Sequence, residues 1–133
     1  MKKFYFLSAL AMIGIIALGF FLNHVNEVKD CKNYLIQIGN TYTSFRNSES
    51  EYLNAADKTS DYAQQEKQYA NQLAGDTLYW VRFMNNHYEE DLINKCIQKL
   101  SITELQNLNN AFDYYEENID FVYETYGTPT PQQ

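Results

Sequence analysis

The chain has 133 residues, of which 45% are apolar, 16% aromatic and 20% charged, and its net charge is −7 at pH 7. This apolar content argues against a disordered chain, and the length allows one small domain at most. The acidic balance excludes negatively charged partners, so we expect neither nucleic acid nor an anionic lipid surface as a ligand.

The amino-terminal segment predicts insertion into a membrane. Lys2 and Lys3 precede an uncharged run over residues 4–22, which as a helix would approach the ~30 Å thickness of a hydrocarbon core. Lysines before such a run favour a cytoplasmic amino end, so we predict a single pass through a bacterial inner membrane with the carboxy-terminal domain outside. Ala17 and Gly19 leave an alternative open, in which cleavage near Gly19 gives a periplasmic or secreted protein.

Turn and cap residues divide the rest of the chain. Gly39, Gly75 and Gly127 each precede a turn or cap residue, and glycine is common just past a helix end. Asp76 could cap the helix that follows Gly75. The stretch SITE, residues 101–104, has the pattern of a capping box. The predicted helices are therefore about 24–38, 41–74, 77–100 and 102–126.

The spacing of apolar residues in these segments is typical of helices. Between Leu105 and Tyr126, apolar side chains recur at alternating intervals of three and four residues, which gives one packed helix face. Strand patterns are lacking. We predict an all-α protein made of a signal anchor or signal peptide in 1–23, an exported bundle of three to four helices in 24–126, and a flexible tail in 127–133.

Three paths remain open for the chain between residues 24 and 74. The seven-residue repeat keeps its phase through Gly39, which allows one straight helix from 24 to 74. The chain could instead turn a corner at Gly39-Asn40. A third alternative is a break within DKTSD, residues 57–61, where Thr59 or Ser60 would cap the next helix.

Cys31 and Cys96 are the only cysteines, and export would place both in an oxidising compartment, which favours a disulfide. We favour an intramolecular bond over two buried thiols or a Cys31–Cys31 dimer. A straight helix to residue 74 would hold the two cysteines about 35 Å apart, whereas a corner at Gly39-Asn40 would bring them level. The intramolecular bond therefore predicts the corner.

Candidate catalytic and metal-binding patterns are weak. His87 and Glu90 would share a helix face, and Glu116, Glu117 or Asp120 could supply further metal ligands. The second Glu and His copy of a di-iron bundle is missing, however, and neither a nucleophile motif nor a phosphate-binding loop is present. We expect no catalytic residue, no metal and no cofactor, and a metal-dependent enzyme is the least favoured hypothesis.

The last predicted helix carries the most distinctive polar pattern. From Glu104 onward the chain has six acidic residues and no Lys or Arg, and aromatic side chains lie among the acids. Charge would steer a basic protein partner to such a surface, and the rings would supply the buried area. A second packing face in the bundle is the alternative interpretation. The predicted partner-binding residues are Asp113, Tyr114, Glu116, Glu117, Asp120, Phe121, Tyr123 and Glu124.

Together these features predict a small membrane-anchored helical protein that acts by protein–protein contact with a basic or envelope protein. An inhibitor or immunity-type protein of the bacterial envelope would fit this description. The alternative is a structural role as a small subunit or coiled-coil spacer of an envelope complex, whose seven-residue repeat could also pair helices in a homodimer. No stretch carries a motif that is specific to one protein family.

Overall fold

The computed structural model describes the backbone of residues 2–127 and the side chains of residues 27–127. The all-α prediction is confirmed, because the described residues form five helices and no strands. No helix among the described side chains is long and apolar enough to cross a membrane. The predicted anchor at 4–22 lies outside them, as does the predicted tail after Gly127. The helices are α1 (Lys2–Asn54), α2 (Asp61–His87), α3 (Glu90–Ile97), α4 (Ile102–Glu117) and α5 (Ile119–Tyr126).

Helices α1 and α2 form an antiparallel hairpin. Helix α1 continues through Gly39 to Asn54, so the predicted corner at Gly39-Asn40 is wrong, and so is a straight helix to residue 74. The chain reverses at residues 55–60, which was the third alternative. Of the two caps that this alternative offered, Thr59 and Ser60, it is Ser60 that caps α2, since its Oγ accepts a hydrogen bond from the Ala63 amide at 3.1 Å.

Side chains within the reversal form hydrogen bonds to the backbone carbonyl groups at the end of α1 and within the loop. The Lys58 ammonium donates to the carbonyl oxygens of Tyr52 at 3.2 Å and Leu53 at 2.7 Å, and the Tyr52 carbonyl also accepts a hydrogen bond from the Ala55 amide at 3.3 Å. The Asp57 carboxylate accepts hydrogen bonds from the Thr59 amide at 2.9 Å and the Thr59 hydroxyl at 2.6 Å, and these bonds lower the pKa of Asp57. The loop is therefore held by its own residues.

Gly39 serves helix packing rather than a turn. A Cβ atom at this position would lie 3.1 Å from the Cβ of Asn107 and 3.2 Å from the backbone nitrogen of Leu108. Glycine thus allows α4 to approach the backbone of α1 closely. The contact between Tyr114 and Phe45, seven and six residues further along, shows that α4 runs parallel to α1.

Two other predicted boundaries are wrong. Gly75 lies inside α2 rather than past a helix end, and Asp76 therefore caps no helix. The predicted helix at 77–100 is divided, because α2 ends at His87 and the short helix α3 begins at Glu90. Gly75 and Asp76 lie where the apolar stripe of α2 continues into the buried residues Thr77, Leu78 and Val81.

The last predicted helix begins and ends as expected but has an interruption. The capping box is confirmed, with the Glu104 amide donating to Ser101 Oγ at 3.1 Å and the Ser101 amide donating to Glu104 Oε1 at 2.9 Å. Gly127, with φ of 83°, ends α5 as predicted. Asn118 separates α4 from α5, and its side-chain amide donates to the Tyr114 carbonyl at 2.8 Å.

The core lies where the five helices meet, and the Cys31–Cys96 disulfide is part of it. The predicted intramolecular bond is confirmed, with a Cα–Cα distance of 6.0 Å. This bond forms without the expected corner at Gly39-Asn40. Helix α2 runs antiparallel to α1, so the end of α2 and the start of α3 lie at the level of Cys31. The largest fully buried side chains include Leu35, Ile38, Val81, Met84, Leu108 and Val122.

Candidate functional site

The predicted partner-binding residues occupy the end of α4 and all of α5. Leu108, Tyr115 and Val122 follow one another at intervals of seven residues and are buried, so this stripe faces the core and the exposed positions lie on the other faces of the segment. Seven of the eight predicted residues are exposed. We call these seven the acidic–aromatic surface: Asp113, Glu116, Glu117, Asp120, Phe121, Tyr123 and Glu124.

Tyr114, the eighth predicted residue, lies apart from this surface. Its ring centroid is 5.6 Å from that of Tyr42 and 5.2 Å from that of Phe45, so it packs against α1. Burial raises the pKa of the Tyr114 hydroxyl, and the nearby Glu49 raises it further. Tyr114 therefore positions α4 on α1.

The carboxylates of the acidic–aromatic surface form no ion pair with any side chain that the structure describes. Among the side chains of residues 27–127, the one ion pair joins Arg46 to Glu49 on α1, at 3.2 Å. Asp113 and Glu117 are four residues apart on α4, a spacing at which like charges repel each other. The surface is therefore negatively charged and solvated, and a basic partner would relieve this repulsion.

Exposed rings accompany the charges. The side chain of Phe121 is 54% exposed and that of Tyr123 is 36% exposed. A phenylalanine ring that remains half in contact with water gives up favourable burial, which a partner could restore. Phe121 and Tyr123 are thus exposed on the same helix as the exposed acids Asp120 and Glu124.

Arg82 holds the end of α5 against α2, a role that the sequence did not reveal. Its Nη2 donates to the Tyr126 carbonyl at 2.7 Å, and its guanidinium lies 5.5 Å from the centroid of the Tyr126 ring. The Tyr79 ring packs on the same tyrosine at 6.0 Å. This contact joins residues 44 positions apart, and no local sequence pattern signals it.

A groove opens between α2 and the α4–α5 segment, next to the acidic–aromatic surface. Its volume is ≈ 360 Å³, and its lining also includes Asn85. Burial raises the pKa of the Tyr115 hydroxyl, and the neighbouring Tyr123 raises it further. The positive charge of Arg82 opposes this change, and a hydrogen bond with Asn85 opposes it to a smaller extent. We call this the α2–α4 groove, and its walls are Val81, Phe112, Tyr115, Ile119 and Tyr123, with the Glu116 carboxylate.

A second cavity, of ≈ 620 Å³, lies where α3 meets α1 and the end of α2. Its acidic lining residues are mixed with Lys95, and the His87 ring is stacked on Phe83 with centroids 4.9 Å apart. His87 ends α2 and Glu90 begins α3, so the expectation that they share one helix face is wrong. No group of three or more His, Cys, Asp or Glu within the described part of the chain is arranged to hold a metal ion.

Exposed carboxylates, exposed rings and a small groove thus occur together on α4 and α5. The side chains involved are held by helices α4 and α5, which the capping box, Tyr114 and Arg82 fix in place. No protein-family model, curated protein or solved structure matches this chain.

Proposed function

We propose that this protein acts by binding a basic protein through the acidic–aromatic surface. The observation that carries the proposal is that α4 and α5 expose both the ring of Phe121 and several carboxylates that form no ion pair with any described side chain. Such a surface costs stability in the free protein through charge repulsion and exposed apolar area, and a partner with complementary charge would recover both.

The two kinds of residue would have separate roles in binding. The carboxylates would accelerate the encounter with a basic partner, and their effect would weaken as salt is added. The rings of Phe121 and Tyr123 would provide the buried contact that slows dissociation. A stoichiometric inhibitor or immunity-type protein requires this combination of rapid encounter and long residence.

We also propose that the protein is anchored in a bacterial inner membrane through residues 4–22, with the helical domain outside the cytoplasm. The Cys31–Cys96 bond supports an oxidising location. The continuity of α1 from Lys2 to Asn54 supports an uncleaved anchor, because the helix needs no joint between the anchor and the domain. Removal of the segment near Gly19 is the alternative, and sequencing the amino terminus of the mature protein would distinguish the two.

The proposal is tested by recovery of cross-linked partners from envelope membranes that contain the full chain. A variant with lysine at Asp113, Glu116, Glu117 and Asp120 should lose its partner. The control carries four lysines at acidic residues remote from this surface and changes the net charge equally: Glu27, Asp30, Glu51 and Glu66. Equal recovery with both variants would contradict the proposed surface, as would recovery that is insensitive to salt.

A structural role in an envelope complex is the second candidate, favoured by one observation. Helix α1 has 53 residues, which corresponds to a length of about 80 Å. A helix of this length could act as a spacer or pair with a second helix. Size measurement of the full chain in detergent would test this role, and a monomer without any co-purifying subunit would argue against it.

A further inference from the structure

The α2–α4 groove indicates which side chain of the partner makes the central contact. Resting on the proposed function, we infer that the groove receives one arginine side chain of the basic partner. Its aliphatic stem would lie on the groove walls and its guanidinium would reach Glu116.

The walls have the chemistry that an arginine needs. Three aromatic residues, Phe112, Tyr115 and Tyr123, line the groove together with the aliphatic residues Val81 and Ile119. Aliphatic walls pack against the methylene stem of a long basic side chain, and aromatic faces attract its cationic end. The volume of ≈ 360 Å³ is sufficient for one such side chain.

The negative charge of Glu116 favours a positively charged ligand in the groove. Glu116 is the one charged residue in its described lining, and this carboxylate makes no ion pair with the side chains of residues 27–127. A planar guanidinium can form two parallel hydrogen bonds to a carboxylate and stack on rings at the same time, which an ammonium cannot do. Arginine is therefore a better fit than lysine.

The effect of Glu116 can be separated from that of the overall negative charge of the surface by comparison with Glu117. Glu117 is next in sequence but acts on the other side of α4, where its charge raises the pKa of Tyr114 against α1. Arg82 lies outside the groove lining and binds the Tyr126 carbonyl, but its positive charge still lowers the pKa of Tyr115 in the groove wall, so Glu116 attracts a ligand against this nearby cation. Removal of the Glu116 charge and removal of the Glu117 charge thus change the net charge equally, but only the first alters the groove.

The test uses the full chain in detergent micelles with isotope-labelled isoleucine methyl groups and the probe Nα-acetyl-argininamide. The methyl signal of Ile119 in the groove should shift with saturation. That of Ile102, which is 87% exposed at the start of α4, should not. Nα-acetyl-citrullinamide, which has the same shape without the charge, should leave both signals unchanged. Nα-acetyl-lysinamide should bind more weakly than the arginine probe.

Two variants serve as a matched pair. Glu116→Gln should weaken binding of the arginine probe by roughly tenfold, because it removes a charge-assisted hydrogen bond. Glu117→Gln should change it by no more than about twofold, because it alters only a distant solvated charge. Equal effects of the two substitutions would overturn the inference, as would equal binding of the citrulline probe or an Ile119 signal that does not move.

Failure of this inference and failure of the proposed function give different results. If charge reversal abolishes partner recovery while the arginine probe leaves Ile119 unmoved, the surface binds a partner but the groove is not its arginine site. If the probe binds as expected while charge reversal leaves recovery unchanged, the groove accepts arginine and the proposed surface is wrong.

Discussion

Gly39 and Gly75 both lie inside helices, but their surroundings differ. A Cβ atom on Gly39 would meet the backbone of Asn107 and Leu108 at 3.2–3.3 Å, whereas a Cβ atom on Gly75 would meet nothing within 4 Å. In a helix interior, alanine is more favourable than glycine by about 1 kcal/mol. A substitution at Gly75 therefore measures helix propensity alone, whereas one at Gly39 also measures the cost of disturbed packing.

We expect Gly75→Ala to raise the free energy of unfolding by up to about 1 kcal/mol, because the new methyl group meets no obstacle. We expect Gly39→Ala to lower the free energy of unfolding by roughly 1–2 kcal/mol. The new methyl group pushes α4 away from α1, and the packing lost in this way outweighs the gain in helix propensity. Urea unfolding of both variants, followed by circular dichroism, measures the difference. A gain in stability for both would show that α4 can shift at little cost.

At the scale of helices, charge at the ends of α3 and α4 has opposite consequences. Glu90 and Asp91 lie in the first turn of α3, where negative charge is favourable to the helix dipole. Glu116 and Glu117 end α4, where negative charge is unfavourable and no basic residue compensates it. The acidic–aromatic surface thus includes charges that weaken the helix that carries them.

The double substitution Glu116→Gln and Glu117→Gln should raise the free energy of unfolding by roughly 0.5–1 kcal/mol at low ionic strength. The pair Glu90→Gln and Asp91→Asn removes the same charge and should lower it. Both effects should shrink in ~1 M salt, where charges are screened beyond about 3 Å. Thermal unfolding at two salt concentrations measures this, and changes of the same sign in both variants would contradict the explanation.

Helix ends could be predicted from the sequence where a local residue caps the helix. They could not be predicted where tertiary packing determines whether the helix ends or continues. Ser60, Ser101 and Gly127 act locally, so their patterns predicted the observed ends. Gly39 was misread because a glycine that ends a helix and a glycine that admits a neighbouring helix look alike until the neighbour is known. The break at Asn118 has neither glycine nor proline to signal it.

The sequence predicted which exposed residues of α4 and α5 form the candidate site, but it did not predict the groove beside them. Spacing from the buried stripe was sufficient to expect exposed carboxylates and the exposed ring of Phe121. The α2–α4 groove requires Val81 and Asn85 from a helix more than 25 residues earlier in the chain, and Arg82 meets Tyr126 only through the tertiary fold. Contacts of this kind carry no periodicity that a single sequence reveals.

For the molecule as a whole, the Cys31–Cys96 bond closes a loop with a sequence separation of 65. On the chain-entropy model, such a loop stabilises the folded state by about 4 kcal/mol. We expect the double substitution Cys31→Ser and Cys96→Ser to lower the free energy of unfolding by about that amount, measured by denaturant unfolding. Reductant should destabilise the native chain and leave the variant unchanged, and a variant as stable as the oxidised native chain would contradict the prediction.

The same bond determines what happens when the polypeptide is cut. The exposed reversal at residues 55–60 lies within the covalent loop that Cys31 and Cys96 close. A protease that cleaves once at Lys58 opens this ring without releasing a fragment, because the two pieces stay joined through sulfur. A nicked molecule would therefore keep its mass, apart from one added water, and only a reducing gel would separate it into two bands.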